Sequence, residues 1–248
     1  MRKFYKMNGS KHDVCHEFFS NINSEEQAYL LGFYVADGNV NEKRKTFRIK
    51  IKEIDSEIIE LYKQFICPTA HTFLYKSYKI KGRDNKEYVG CDQISVDINS
   101  SKLVNSLVSL GYGYKKTYLD MRLPKLSDDL IIHFIRGYFD GDGCITKNIV
   151  YNTYNKPRLK LSISFTSKKR SLFDDIKLFF EKYNINFNIH YSNRDNCYLL
   201  QTSSIGNIKK IYDILYKDAH FYMSRKYNKF SHYVNTEIPQ YASGDCNA

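Results

Sequence analysis

The stretch "GYFDGDG", Gly137 to Gly143, sets three glycines and two aspartates where the apolar run "LIIHFI" should be completing a helix. It has a counterpart. "GFYVADG", Gly32 to Gly38, follows "AYLL" with the same order of glycine, aromatic and closing Asp-Gly, 105 positions earlier. Glycine inside a helix costs about 1 kcal/mol relative to alanine, and it is tolerated where another backbone must come close. Small residues recur at i, i+4 in both stretches, Gly32 with Ala36 and Gly137 with Gly141. That spacing puts each pair on one helix face. The two faces are expected to pack almost backbone to backbone, with Asp37 and Asp142 side by side at the C-terminal ends.

Helix signals surround both stretches. Ser24-Glu25-Glu26-Gln27 has the form of a capping box, and apolar residues run from Ala28 to Val35 until Asp37-Gly38 ends the helix. Ser127 caps the second helix, with Asp128 and Asp129 in its first turn, where the helix dipole favours acids. After each helix comes a period-two stretch. In "FRIKIK", Phe47, Ile49 and Ile51 alternate with Arg48, Lys50 and Lys52; in "RLKLSISF", Leu159, Leu161, Ile163 and Phe165 alternate with Arg158, Lys160, Ser162 and Ser164. Alternation of this kind predicts half-buried strands. Helices are then expected near 55–66 and 168–183. Strands follow at "DQISVDI", burying Ile94, Val96 and Ile98, at "NFNIHY", burying Phe187, Ile189 and Tyr191, and at "CYLLQTS"; closing helices are expected near 101–110 and 205–216.

The chain thus reads as an α+β protein, a tandem repeat of one helix–strand pair–helix–strand pair–helix unit with pseudo-twofold symmetry. The boundaries are an N-terminal extension (1–20), a first repeat (21–112), a linker (113–126), a second repeat (127–236) and a C-terminal tail (237–248). The basic, aromatic segment "SRKYNKF" (224–230) is either a phosphate-binding arm or a solvated helix end.

Two carboxylates meeting at two helix C-termini are electrostatically unfavourable. Each end already carries about half a negative charge from the dipole, and its last carbonyls lack partners. Cations relieve this, and all-oxygen ligands suit hard divalent metals, Mg²⁺ first and Mn²⁺ as a substitute. Divalent metals beside a nucleic-acid backbone are a route to phosphodiester hydrolysis. Charge points to the same partner: Lys+Arg 38 against Asp+Glu 27 gives a net +11, which favours a polyanion.

"LLGFYVADG" (30–38) and "IRGYFDGDG" (135–143) resemble the paired signature of the LAGLIDADG homing endonucleases, and the flanks "SEEQAYLLGFYVADG" and "HFIRGYFDGDGCI" look like those of free-standing, intron-encoded or viral single-chain members. The likeness covers about residues 20–236. It implies two αββαββα units whose antiparallel sheets form a saddle over DNA, with the first helix of each at a central interface. It makes Asp37 and Asp142 the metal ligands, aided by the carbonyls of Ala36 and Gly141. It implies double-strand cleavage at a long, asymmetric site, leaving 3′ overhangs, by a monomer with internal pseudo-dimer symmetry. Asp140 ranks below Asp142, because its counterpart in the first copy is Val35.

Arg48, Lys50, Lys52, Arg158, Lys160, Ser162 and Ser164 then become candidates for phosphate contact and base-edge readout, with Gln93, Ser95, Asn188 and His190 beside them. The family often carries a basic residue near each scissile phosphate, at the start of the helix after the last strand pair; Lys102 is the match in the first copy, whereas the second copy has Asn207 there. Two alternatives share the fold, an RNA-binding intron maturase and a DNA-binding protein without nuclease activity. Both acids are retained, which favours cleavage.

Other classes are excluded on composition. No apolar stretch approaches the roughly 18 residues of a membrane span. The basic N-terminus lacks the apolar core of a signal peptide, so an intracellular location is expected. Six scattered cysteines without Cys-x-x-Cys read as reduced thiols. "HDVCH" (12–16) has no second ligand pair at zinc spacing.

Overall fold

The alternation of "FRIKIK" appears directly in a computed structural model of the chain, which describes residues 3–6, 12–81, 85–151 and 153–238. Helix α1 (Glu25–Asp37) runs straight into β1 (Gly38–Asn41), which pairs with β2 (Thr46–Lys52). β2 turns Phe47, Ile49 and Ile51 inward and Arg48, Lys50 and Lys52 outward. There follow α2 (Glu57–Ile66), β3 (Thr72–Tyr75), a small hairpin of β4 (Lys79–Lys81) and β5 (Glu87–Val89), β6 (Gln93–Asn99) and α3 (Ser101–Ser109). The second half contains α4 (Asp128–Asp142), β7 (Gly143–Tyr151), β8 (Pro157–Ser167), α5 (Ser171–Glu181), β9 (Asn188–Ser192), β10 (Cys197–Thr202), α6 (Ile205–Tyr216) and α7 (Ser224–His232).

Each half builds one four-stranded antiparallel sheet, in the orders β1-β2-β6-β3 and β7-β8-β10-β9. The orders are equivalent strand for strand, and the registers match. Gly38 opposes Ile49 in the first sheet, and Gly143 opposes Phe165 in the second. The apolar faces are closed by helices. Tyr62 of α2 packs on Phe47, and Phe180 of α5 packs on Phe187, which reaches Phe165 of β8. Tyr191 departs from expectation. It is 46% exposed, because β9 is the edge strand and its ring lies on Tyr198 at the margin of the sheet.

The chain divides into two compact units, and the division does not follow the repeat boundary. The first unit holds residues 1–23 and 37–116, and the second holds 24–36 and 117–248. Residues 12–20 of the expected N-terminal extension, with the adjoining 21–22, belong to the core of the first unit. Val14, Cys15, Phe18, Phe19 and Ile22 are buried, the Cys15 amide donates to the Ile66 carbonyl at 2.8 Å, and Phe18 stacks on Phe65. The segment 117–126, expected as linker, is tied into the second unit. Arg122 forks onto the Asp175 carboxylate at 2.8 and 2.6 Å, and the Leu123 amide joins it at 3.0 Å. The tail from 239 onward lies outside the described residues. Among the described residues no helix is long and apolar enough to cross a membrane.

The reason α1 sorts with the second unit is its glycine. A Cβ built on Gly32 would lie 1.9 Å from the Phe134 carbonyl oxygen of α4, and one on Gly137 would lie 2.0 Å from the Tyr29 carbonyl oxygen of α1. Neither carbonyl can retreat without unwinding a helical turn. Gly137→Ala or Gly32→Ala is therefore expected to destabilise the fold by at least about 2 kcal/mol, as overpacking does in a rigid core, measured by chemical denaturation. Either alanine variant at wild-type stability would mean that the helices separate easily.

Candidate functional site

Both glycine-bearing helices end at an acid. Asp37 is the last residue of α1 and Asp142 the last of α4, and a strand begins at the next residue in each case. The helix C-terminus supplies carbonyls without helical partners, and the strand fixes the direction in which the chain leaves. Asp37 is exposed and Asp142 half-buried.

Strand register identifies the neighbours of each acid within its own unit. Gly38 is level with Ile49, and Lys50 is the next residue of β2 beyond that pair. Gly143 is level with Phe165, so Thr166 of β8 is level with Asp142, and its hydroxyl lies 3.4 Å from the Asp142 carbonyl oxygen. The equivalent positions thus hold a lysine in one copy and a threonine in the other.

The outward face of the first sheet is ordered by its own side chains. Arg48 makes a forked contact with Asp97 directly across from it in β6, with Nε to Oδ1 at 2.7 Å. Lys50 sits 4.1 Å over the Tyr75 ring, a cation–π contact that limits where its ammonium can go. Lys52 and Gln93 are exposed. Ser95 is corrected. It lies between Lys50 and Phe73 across the sheet, with the Tyr75 hydroxyl 3.5 Å from its Oγ, and is 0% exposed. On the second sheet Lys160, Asn188 and His190 are exposed and Ser164 is half-buried. Ser162 is also corrected; it is 4% exposed and shares a hydrogen bond with Ser203 at 2.8 Å. The Arg158 side chain lies outside the described residues.

Lys102 is not brought to Asp37. Helix α3 starts beyond Asn99, three residues further along β6 than Val96, which is level with Ile49 and Gly38. At strand rise that is about 10 Å along the sheet. There Lys102 is held by Glu17 at 2.9 Å and by the Tyr5 hydroxyl at 3.1 Å. Asn207, its counterpart, donates to the Asn186 carbonyl in the second unit. In "HDVCH", His16 uses both ring nitrogens, on Ser100 at 2.7 Å and on the Tyr5 carbonyl at 3.1 Å, and His12 meets Thr69 at 2.9 Å.

The lysine that does reach a helix end is Lys226. Segment 224–230 lies in helix α7, which is packed on one side. Phe230 is buried, and Tyr227 stacks on Tyr222. Lys226 Nζ donates to three carbonyls at the end of α4, those of Phe139 at 2.7 Å, Gly141 at 3.1 Å and Gly143 at 2.5 Å. Both units carry a basic pair shortly after their last expected helix, "YKK" at 114–116 and "SRK" at 224–226. That recurrence is the signal by which Lys226 was available to sequence reasoning.

Asp140 is a structural acid. It is 0% exposed and accepts from Tyr29 at 2.8 Å, Tyr216 at 2.5 Å and the Met223 amide at 2.7 Å. Burial pushes its carboxyl above the ordinary value, while Tyr216, Met223, Lys226 and Tyr29 pull the other way. One turn earlier, Arg136 is 1% exposed and satisfied by the carbonyls of Phe221 and Leu215 and by Glu25 at 2.6 Å. Glu25 also receives the His220 amide, and its second oxygen meets the His220 ring, each at 2.9 Å.

Among the described residues no group of three or more His, Cys, Asp or Glu side chains is gathered as a metal cluster. The donors at the helix ends, a carboxylate with adjoining carbonyls, have the hard-oxygen chemistry a divalent cation requires. At α4 the carbonyl of Gly141 is already engaged by Lys226.

Residues 129–216 match the family model of a LAGLIDADG-like domain. Over 87% of its length the chain superposes on 91% of the LAGLIDADG meganuclease I-AabMI, solved bound to uncleaved DNA, with a TM-score of 0.59 and 14% identity. Over 89% it superposes on 94% of the meganuclease I-CpaMI, also bound to uncleaved DNA, with a TM-score of 0.57 and 13% identity. An uncharacterised protein of Methanocaldococcus jannaschii is 28% identical over 181 residues, which are 72% of this chain and 62% of that protein; this chain thus spans under two thirds of that relative. The replication factor C small subunit of the same organism is 30% identical over 138 residues, 54% of this chain and 7% of that protein. The fold is that of the LAGLIDADG endonucleases.

The Glu25 cluster makes a testable statement about pH. Burial acts to raise the Glu25 carboxyl, but the His220 amide and ring, with Arg136 and His133, hold it below its ordinary 4.5. A depressed carboxylate contributes stability that is present above the unfolded value and lost as pH falls through the folded one. Glu25→Gln should therefore be less stable than wild type at neutral pH, with the gap closing as pH falls below about 4.5. Denaturant midpoints across a pH series measure this, and a gap independent of pH contradicts it.

Proposed function

We propose that this chain is a site-specific double-stranded DNA endonuclease of the homing type, acting as a monomer on a long, asymmetric site with Mg²⁺ or Mn²⁺. The observation that carries this reading is the repeated junction: a glycine-bearing helix that ends on a carboxylate and passes at once into a sheet with a polar outward face. It occurs at Asp37 and again at Asp142. The family match over 129–216 and the likeness of fold to DNA-bound meganucleases support it.

In this reading Lys52, Lys50 and Lys160 meet backbone phosphates, and Gln93, Asn188 and His190 face base edges. Asp37 and Asp142 serve as ligands for divalent cations, with the Ala36 carbonyl beside the first. Such a cation supplies Lewis acidity at the scissile phosphate and lowers the pKa of water. Lys50, ordered over Tyr75, holds a phosphate next to Asp37. Thr166 stands at the matching place beside Asp142, so the two strands are cut by non-identical surroundings.

The decisive experiment selects cleaved molecules from a randomised or genomic DNA library in Mg²⁺ and, in parallel, in EDTA. Specific double-strand cutting in Mg²⁺ alone is expected, and Asp142→Asn should reduce it by about 10²–10³-fold, the size seen when a charge-stabilising group is lost from an active site, while DNA binding persists. Binding without cutting by the wild type overturns the nuclease reading in favour of a silent DNA-binding protein; restored splicing of an intron RNA without DNA cutting points to a maturase.

Phosphate contacts also have a salt signature. Lys52→Ala should weaken DNA binding uniformly across sequences and reduce the slope of log K against log salt by about one. Filter binding at several salt concentrations reads this directly, and an unchanged slope removes Lys52 from the interface.

A further inference from the structure

The contact of Lys226 with α4 carries a consequence for how a cation binds there. Three carbonyl oxygens, of Phe139, Gly141 and Gly143, lie 2.7, 3.1 and 2.5 Å from one nitrogen. An ammonium has three N–H donors, so each carbonyl can receive one. The arrangement is an oxygen-lined cation cradle at the negative end of a helix dipole. The lysine is delivered to it by an anchored helix. The Met223 amide is fixed on Asp140, Tyr227 packs against Tyr216 and Tyr222, and Phe230 is buried against Phe139. The ammonium also lies 5.5 Å from the Phe139 ring centroid.

We propose that Lys226 is a resident cation that competes with the divalent metal at the second acid. Its ammonium holds the Gly141 carbonyl, and a metal taken up at Asp142 reaches that carbonyl only by displacing the ammonium or by sharing the oxygen with it. This rests on the metal-dependent reading of Asp142. A divalent ion and an ammonium on one carbonyl repel each other strongly in a partly buried setting. The metal at Asp142 is therefore bound more weakly than the oxygen donors alone would allow, and Lys226 keeps the end of α4 neutralised until metal and phosphate arrive. Lys226 is a positioning residue in this account, acting through the backbone that presents Asp142.

The test is Mn²⁺ binding to the full-length protein without DNA, followed by the electron paramagnetic resonance of free Mn²⁺ at low ionic strength. Lys226→Gln keeps N–H donors for the carbonyls but removes the charge, and Lys226→Met removes both. Both should bind Mn²⁺ at least about tenfold more tightly than wild type, given the size of charge–charge terms at such distances. Lys226→Arg should not, and the gain should vanish in the double variant Asp142→Asn with Lys226→Gln. A purely structural cap predicts the opposite, since its loss disorders the site and weakens binding. Should Lys226→Met fail to fold, Lys226→Gln decides. A folded Lys226→Gln with affinity at or below wild type overturns the competition, while Asp142-dependent binding in the wild type leaves the metal reading standing. Absence of Mn²⁺ binding in every form overturns both.

Discussion

Two glycines without which two backbones cannot meet hold this fold together. Gly32 and Gly137 each stand where a single methyl group would overlap a carbonyl oxygen of the other helix. The contact brings α1 against α4 so closely that main chain, and not side chain, forms the seam. Everything polar near the seam then follows from the lack of room. Tyr29 has a carboxylate of α4 to donate to, and Arg136 finds its partners in Glu25 and in the carbonyls of Leu215 and Phe221. A seam of this kind is intolerant of substitution, which explains why glycine persists inside two helices despite its intrinsic penalty.

The end of α4 carries an electrostatic demand of its own, and the second unit meets it from within. Asp140 and Asp142 are two residues apart and have opposite fates. One is enclosed and satisfied by three donors; the other remains partly open at the last position of α4. Lys226 supplies the positive charge between them. A carboxylate in a buried, fully bonded place stabilises packing, whereas one at an open end is available for chemistry. Burial, not residue type, separates the two.

Sequence patterns reached most of the fold because they report on local periodicity. The ends of α1 and α4, the inward sets Phe47, Ile49, Ile51 and Leu161, Ile163, Phe165, and the span of α6 are all readable from spacing, whereas the strands β1 and β7 that follow at once were not named. What spacing does not encode is coverage by residues distant in the chain. Ser95 and Ser162 alternate correctly onto the outward faces, yet Tyr75 and Ser203 reach over them. Tyr191 alternates inward but sits on an edge strand. Lys102 starts the expected helix, but the register of β1, β2 and β6 puts that start at the wrong end of the sheet. Lys226 was legible only as part of a basic pair that recurs after each repeat. Its role depends on where α7 docks, a tertiary fact that a basic, aromatic composition leaves open.

The assignment of α1 to the second unit bears on how the chain comes into being. During synthesis, α1 emerges about a hundred residues ahead of α4, its seam partner, and the first sheet is complete in the interval. Until α4 is made, the apolar surface of α1 has no backbone to close upon. Long-range closure of this sort is slow and leaves sticky surface exposed in the meantime. The nascent chain therefore carries, for the time it takes to translate one repeat, a helix whose glycine face still awaits its partner from the other repeat.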